Sequence, residues 1–197
     1  EKINYIHSLQ KEYKNNSLEF KFGDLKDLNF LNEIFLLELK KGNTISGVIH
    51  LAGLKSVSES TTNPIKYWDQ NLIGSIMLLK VMDKFNCRNL VFSSSATIYG
   101  AKQNNPLYEE LNCLPVNPYG ETKNCIERML KNVYESDKKK WNIVNLRYFN
   151  PIGAHPSSLI GQLSNKTDEN LFPILCEVAA KKREKLIIYG KNWPTID

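Results

Sequence analysis

The sequence predicts an α/β protein built on a doubly wound parallel sheet, and two observations carry that expectation. Short apolar runs of strand length alternate along the chain with longer stretches whose apolar residues recur at helical spacing. Polar or small residues (Asp24, Ala52-Gly53, Ser95 and Asn150) follow four of the strand-like runs. In open parallel sheets that edge, beyond the carboxyl ends of the strands, is where ligands bind.

Taken in order, residues 3–14 read as a short helix without a clear start. Leu18, Phe20 and Phe22 alternate with Glu19 and Lys21, the period of a half-buried strand, which ends at the turn Gly23-Asp24-Leu25. Asp27 stands where it can cap the next helix, whose apolar positions are Leu28, Leu31, Ile34, Phe35 and Leu39; Gly42 and Asn43 break it. Ile45 to Leu51 is nearly continuously apolar, as a strand covered on both faces would be. A long helix is expected from Pro64 to about Phe85, a buried strand from Asn89 to Ser95, and a helix starting near Pro118. A strand from Trp141 to Phe149, an irregular segment 150–168, a helix from Leu171 to about Lys182 and a strand from Leu186 to Tyr189 complete the series.

Bulk properties exclude several classes. The 197 residues, 42% hydrophobic, are enough to bury a core. The charge of +5 comes largely from scattered lysines, and the longest run, Lys138 to Lys140, falls between a helical and a strand-like pattern, as a solvated turn does and a nucleic-acid footprint does not. No apolar run is long enough to span a membrane and no signal-peptide pattern opens the chain. The four cysteines, Cys87, Cys113, Cys125 and Cys176, form no C-x-x-C pair and read as reduced thiols of a cytoplasmic protein. His7, His50 and His155 are scattered, so no metal is expected.

The heptapeptide Asn117-Pro-Tyr-Gly-Glu-Thr-Lys123 is the candidate for chemistry. Pro118 suits the first position of a helix, where its missing N–H costs nothing. Tyr119 and Lys123 then lie on one helical face, about 5–6 Å apart at Cβ. A phenol is a poor base with a pKa of roughly 10, and a neighbouring ammonium is expected to lower it. By itself the pair is more often an ordinary Tyr and Lys on a helix. A dinucleotide-binding sheet also normally opens with a strand and a Gly-rich turn, and the ten glycines form no such fingerprint. The expectation is therefore of the middle of a longer protein, lacking the first strand and its loop.

Longer motifs supply the context. They are His50-Leu-Ala-Gly-Leu-Lys55-Ser-Val-Ser-Glu-Ser60, Phe92-Ser-Ser-Ser95-Ala-Thr-Ile-Tyr-Gly100, Asn117-Pro-Tyr119-Gly-Glu-Thr-Lys123, Leu146-Arg-Tyr-Phe-Asn-Pro-Ile-Gly-Ala-His-Pro156 and Asn170-Leu-Phe-Pro173. In this order and at this spacing the chain, from about Leu18 onward, resembles the extended short-chain dehydrogenase/reductase family, and within it the UDP-glucose 4-epimerases. The resemblance implies a Rossmann-like fold with bound NAD and a UDP-sugar substrate. Residues 1–150 would be part of the NAD-binding domain and 151–197 the start of a smaller nucleotide-sugar-binding region.

By the same resemblance Asp24 and Leu25 would meet the adenine. Ala52, Gly53, Lys55, Asn71, Ser95, Tyr119, Lys123 and Phe149 would line the cofactor. Lys55, Ser95, Tyr119, Asn150, Asn170, Leu171, Ile187, Ile188 and Tyr189 would contact substrate. Ser95, Tyr119 and Lys123 correspond to the catalytic trio. Ser95 would bridge the sugar 4-hydroxyl and Tyr119, Lys123 would hold the nicotinamide ribose and keep Tyr119 ionised, and Tyr119 would take the 4-hydroxyl proton as hydride leaves C4. The 4-keto sugar would turn over and receive the hydride on its other face, interconverting UDP-galactose and UDP-glucose. Related dehydratases carry an acid after the strand-end Ser/Thr, where this chain has Ala96 and Thr97. Epimerases of UDP-glucuronate or UDP-pentoses remain an alternative, as does a truncated, non-catalytic chain. The 197 residues by themselves are expected to be inactive. A homodimer is possible by family analogy, and no nucleic acid or membrane partner is expected.

Overall fold

The carboxylate of Asp27 accepts hydrogen bonds from the Asn29 and Phe30 amides at 2.9 and 3.1 Å, and from that cap α1 (Leu28–Lys40) begins. A computed structural model of the chain describes residues 18–101, 106–157 and 170–188. Lys21–Phe149 form one compact unit, and the described residues on either side of it belong to a second.

In the first unit, β1 (Val48–His50), β2 (Asn89–Ser95) and β3 (Asn142–Tyr148) make a parallel sheet in the order β1-β2-β3. Two short helices, α2 (Val57–Thr62) and α3 (Pro64–Tyr67), follow β1. A π-helical turn (Trp68–Ile73) then leads into α4 (Gly74–Lys84). The long helix expected from Pro64 is thus interrupted, in the manner that often marks a functional position. Asn86, at φ 55, ends α4, with the Cys87 amide reaching back to the Met82 carbonyl at 2.8 Å. A 3-10 turn (Ala96–Tyr99) follows β2, and α5 (Pro118–Ser136) precedes β3.

The core lies on one face of this sheet. Leu78, Val81 and Met82 of α4 and Ile126 and Leu130 of α5 close over Val48, Leu90, Phe92 and Ile143, with Leu31 and Phe35 of α1 in the same cluster. Each large apolar side chain buried here contributes about 1.5–3 kcal/mol relative to exposure.

Three expectations need correction. Leu18 to Phe22 carries no strand, and Phe22 is 83% exposed. Alternation supplies the side chains a strand needs, but a strand also requires a ladder, and this segment is not among the three strands of the described sheet. Among the described residues the run from Ile45 to Leu51 pairs only over Val48–His50 and is not covered on both faces. Ile49 is 71% exposed, because the core takes only the alternate face of each strand. Residues 185–188 likewise form no strand, and Tyr189 lies outside the described residues.

In the second unit α6 (Leu171–Ala179) stops three residues short of expectation. Lys181 turns left-handed at φ 56, and the amides of Lys181 and Lys182 close onto the carbonyls of Val178 and Glu177. No described helix is long and apolar enough to cross a membrane.

Candidate active site

Ser95 is the last residue of β2, and the 3-10 turn that follows folds Thr97 back on it. The Thr97 amide and hydroxyl both donate to Ser95 Oγ, at 3.3 and 3.0 Å. With two hydrogens arriving, the hydroxyl keeps its own hydrogen for an acceptor on the Tyr119 side, where Ser95 acts to lower the Tyr119 pKa. Tyr119 is held in the first turn of α5. The Asn117 side chain accepts the Gly120 amide at 2.8 Å, and Pro118 occupies the first helical position, as the sequence predicts. Gly120 permits the close approach: a Cβ there would lie 3.0 Å from the Thr97 carbonyl oxygen. The two turns that carry Ser95 and Tyr119 therefore touch through backbone.

One helical turn on, Lys123 is 5% exposed. Its Nζ donates to the Ser93 carbonyl at 2.7 Å and lies 4.8 Å from the Phe92 ring centroid and 5.9 Å from that of Tyr119. Burial, uncompensated by a carboxylate, pulls its pKa down to about 8. Tyr119 differs from the sequence expectation. Its pKa is raised, because burial of the phenolate outweighs the Ser95 hydrogen bond that lowers it. Without other charge in the site the Lys123 ammonium does not reverse this, its nitrogen being engaged by a carbonyl.

Asn71, in the π turn, closes the other side. Its Oδ1 accepts the Leu54 amide at 2.7 Å, and its Nδ2 donates to the Leu54 carbonyl and to Thr122 Oγ1, both at 3.1 Å. These bonds engage its carbonyl and both amide hydrogens, so Asn71 holds the Gly53-Leu54 loop in place. Gly53, at φ 154, is the residue this packing demands: a Cβ would sit 3.1 Å from Asn71 Oδ1 and 3.8 Å from Lys123 Nζ.

The structure thus brings together Gly53, Asn71, Ser95, Tyr119 and Lys123. Ala52 and Lys55 are exposed in the loop after β1, and Phe149 is exposed just beyond β3. Asp24 is exposed and accepts the Lys26 amide at 2.8 Å, while Leu25 packs against Gly74 at the start of α4. Asn150, Asn170, Leu171, Ile187 and Ile188 belong to the second unit. There Asn170 takes the N-cap position of α6 without a side-chain capping bond, and Leu171, Ile187 and Ile188 are exposed.

Three residues were not anticipated. Thr97 orients Ser95, and Thr122 braces Asn71. Tyr67, fully buried, sets its ring edge-on to that of Tyr119, with centroids 6.5 Å apart, while its hydroxyl donates to Glu59 at 3.0 Å. Thr97 had a local signal, a hydroxyl two residues after Ser95; Tyr67 had none. A cavity of about 360 Å³ bordered by Cys113, Glu127 and Arg147 includes none of the trio. Its Glu127 and Arg147 bond to each other.

Residues 3–193 match the model of the NAD dependent epimerase/dehydratase family. The chain belongs to that family. It is 45% identical over 182 residues to UDP-glucose 4-epimerase 1 of Oryza sativa subsp. japonica, covering 92% of this chain and 50% of that protein. It is 41% identical over 187 residues to the UDP-glucose 4-epimerase of Bacillus subtilis (strain 168), covering 95% and 53%. A crystal structure of UDP-glucose 4-epimerase from Bifidobacterium longum in complex with NAD+ and UDP superposes with a TM-score of 0.83 at 39% identity, covering 95% of this chain and 54% of that one. The chain spans about half the length of the relatives it matches.

Proposed function

We propose that the protein carrying this chain is an NAD-dependent UDP-glucose 4-epimerase that interconverts UDP-galactose and UDP-glucose through a transient 4-keto sugar. The observation that carries the reading is that Ser95 at the end of β2 and Tyr119 and Lys123 in the first turns of α5 are all buried, with no carboxylate paired with Lys123 among the described residues. A binding module has no use for an ammonium kept at that cost.

The residues present fit the cofactor. Gly53 is exposed at the one place where a side chain would press on Asn71 and Lys123, so backbone is offered to a ligand there. In this reading Ala52, Gly53, Lys55, Asn71 and Phe149 form the wall for NAD, and Asp24 and Leu25 take its adenine end. NAD, when bound, supplies a reversible hydride acceptor and, in its oxidised form, a positive charge. Lys123 adds its own charge and hydrogen-bonding capacity to that wall.

Tyr119 is the acid–base group. It accepts the proton of the sugar 4-hydroxyl as the C4–H bond breaks and returns it after the ketone is reduced on its other face. Ser95, its oxygen held by Thr97, can donate to the phenolate that receives this proton, and the first turn of α5 offers that phenolate the partial positive charge of a helix N-terminus. Tyr119 stays protonated until opposite charge arrives, which suits a base meant to act only in the loaded site. Asn150, Asn170, Leu171, Ile187, Ile188 and Tyr189 are assigned to the nucleotide-sugar, with residues 151–197 as the beginning of that region.

Full-length protein supplied with NAD is expected to convert UDP-galactose to UDP-glucose, read by a coupled assay for UDP-glucose. Tyr119→Phe should lower kcat roughly 100- to 10,000-fold with circular dichroism and melting unchanged. An undiminished rate in that variant removes Tyr119 as the base.

A further inference from the structure

Behind Lys123 runs a polar chain that the proposed chemistry does not use. His50, the last residue of β1, is buried with its ring 5.4 Å from that of Phe92. Its Nε2 lies 2.9 Å from Ser75 Oγ, and Ser75 Oγ lies 2.6 Å from the carbonyl oxygen of Asn71. A carbonyl only accepts, so the single hydroxyl hydrogen of Ser75 goes to Asn71. Towards His50 that hydroxyl can then only accept, which fixes the imidazole as the tautomer protonated at Nε2.

The same accounting continues to the catalytic helix. Asn71 Nδ2 donates to Thr122 Oγ1 at 3.1 Å, and Thr122 Oγ1 passes its hydrogen to the Tyr119 carbonyl at 2.7 Å. Each link has one possible direction, in two legs that meet at Asn71: His50 through Ser75 to its backbone carbonyl, and its side-chain amide through Thr122 to the backbone of Tyr119. Ser75 captures a carbonyl inside the π turn, where the usual helical ladder is shifted. That capture ties down the backbone of the residue whose side chain bonds Leu54 and Thr122. Lys123 is the charged group that faces His50, and it further disfavours an imidazolium there.

We propose that His50 is a positioning residue: as an Nε2–H donor it holds Ser75 in place on the Asn71 carbonyl, and thereby helps fix the Tyr119–Lys123 turn against the Gly53-Leu54 loop. The inference rests on the function proposed above and assigns no proton transfer to His50.

The test compares two isosteric replacements in full-length protein with NAD. His50→Gln places an amide N–H where Nε2–H stood, whereas His50→Asn reaches only the position of Nδ1. His50→Asn and Ser75→Ala should lower kcat for UDP-galactose about tenfold or more with KM within about twofold. His50→Gln should return kcat to within about threefold of wild type. NAD released on denaturation should be stoichiometric throughout, and 15N spectra of the wild type should show one Nε2–H tautomer at His50 that does not titrate between about pH 5.5 and 9. Wild-type kcat in His50→Asn, a His50→Gln as slow as His50→Asn, or an Nδ1–H tautomer each overturns the proposal. Should His50→Asn fail to fold, His50→Gln and the spectra still decide. Inactive wild type with the Nε2–H tautomer present sinks the epimerase reading and leaves the hydrogen-bond chain standing.

Discussion

Two cations lie within the same helix-and-sheet layer, Lys123 buried and Arg147 half-buried, and their surroundings are opposite. Arg147, near the end of β3, is fully partnered. Its guanidinium donates to both Glu127 carboxylate oxygens, with Nη2 to Oε2 at 2.8 Å, and its Nη1 reaches the Tyr99 hydroxyl and the Glu109 carbonyl, each at 2.8 Å. The Glu127 carboxylate holds the guanidinium more firmly protonated than usual. Lys123, one helical turn before Glu127, has the Ser93 carbonyl and two aromatic rings but, among the described residues, no carboxylate, and burial depresses its pKa to about 8. A planar guanidinium with a bidentate partner suits a structural tie between β3, α5 and the segment after β2. A lone ammonium beside a phenol and an exposed glycine is an expense that stability does not explain, and it marks the site.

The comparison breaks most visibly at Arg147. Arg147→Met leaves the Glu127 carboxylate buried without its partner and should cost about 3–5 kcal/mol, seen as a lower midpoint in urea unfolding. The double variant Arg147→Met/Glu127→Leu should recover most of that loss. If the single variant melts like wild type, the tie is not structural.

Lys123→Met should act in the reverse sense. A pKa moved from 10.5 to about 8 corresponds to roughly 3 kcal/mol of burial cost in the charged form, so the variant should gain stability of up to that order in cofactor-free protein while losing most turnover. Loss of both stability and activity would mean that the ammonium is part of the fold, like Arg147.

The same shift has a pH signature. Below about pH 8 both folded and unfolded Lys123 are protonated and the cost is constant. Between about 8 and 10.5 the folded state has released the proton and the unfolded state has not, so stability should rise with pH across that window. His50, pulled down to about 4 by burial, gives the acid counterpart: stability should fall as pH drops from about 6.5 towards 4, where the unfolded state binds the proton first. Urea midpoints across pH, in wild type, Lys123→Met and His50→Gln, separate the two, since each variant should lack its own slope.

The smallest expected effect is at Thr97. Thr97→Val removes one of the two donors to Ser95 Oγ and keeps the amide. Losing one hydrogen bond, worth about 1 kcal/mol, should slow turnover roughly five- to tenfold with the fold unchanged; an unaltered kcat would make Thr97 a bystander.

The sequence by itself determined the local facts, because they depend on neighbours in the chain. Helical period and the Asp27 cap begin α1; Asn117 and Pro118 start α5 where Tyr119 needs it; and strand-length apolar runs place Ser95 and Gly53 just past or at strand ends. The Tyr119–Lys123 spacing on one helical face was legible for the same reason. Only the tertiary structure decided which apolar runs are covered and on which face, since Ile49 and Phe92 look alike in the sequence and only one is buried. It also decided the electrostatics. That Lys123 stands without a carboxylate among the described residues while Arg147 has one, that burial raises Tyr119, and that His50 reaches Asn71 through Ser75 and Asn71 reaches Tyr119 through Thr122 all depend on groups far apart in the chain meeting in a packed interior. Period and propensity report what a segment can form; dielectric and partnership belong to the packed whole.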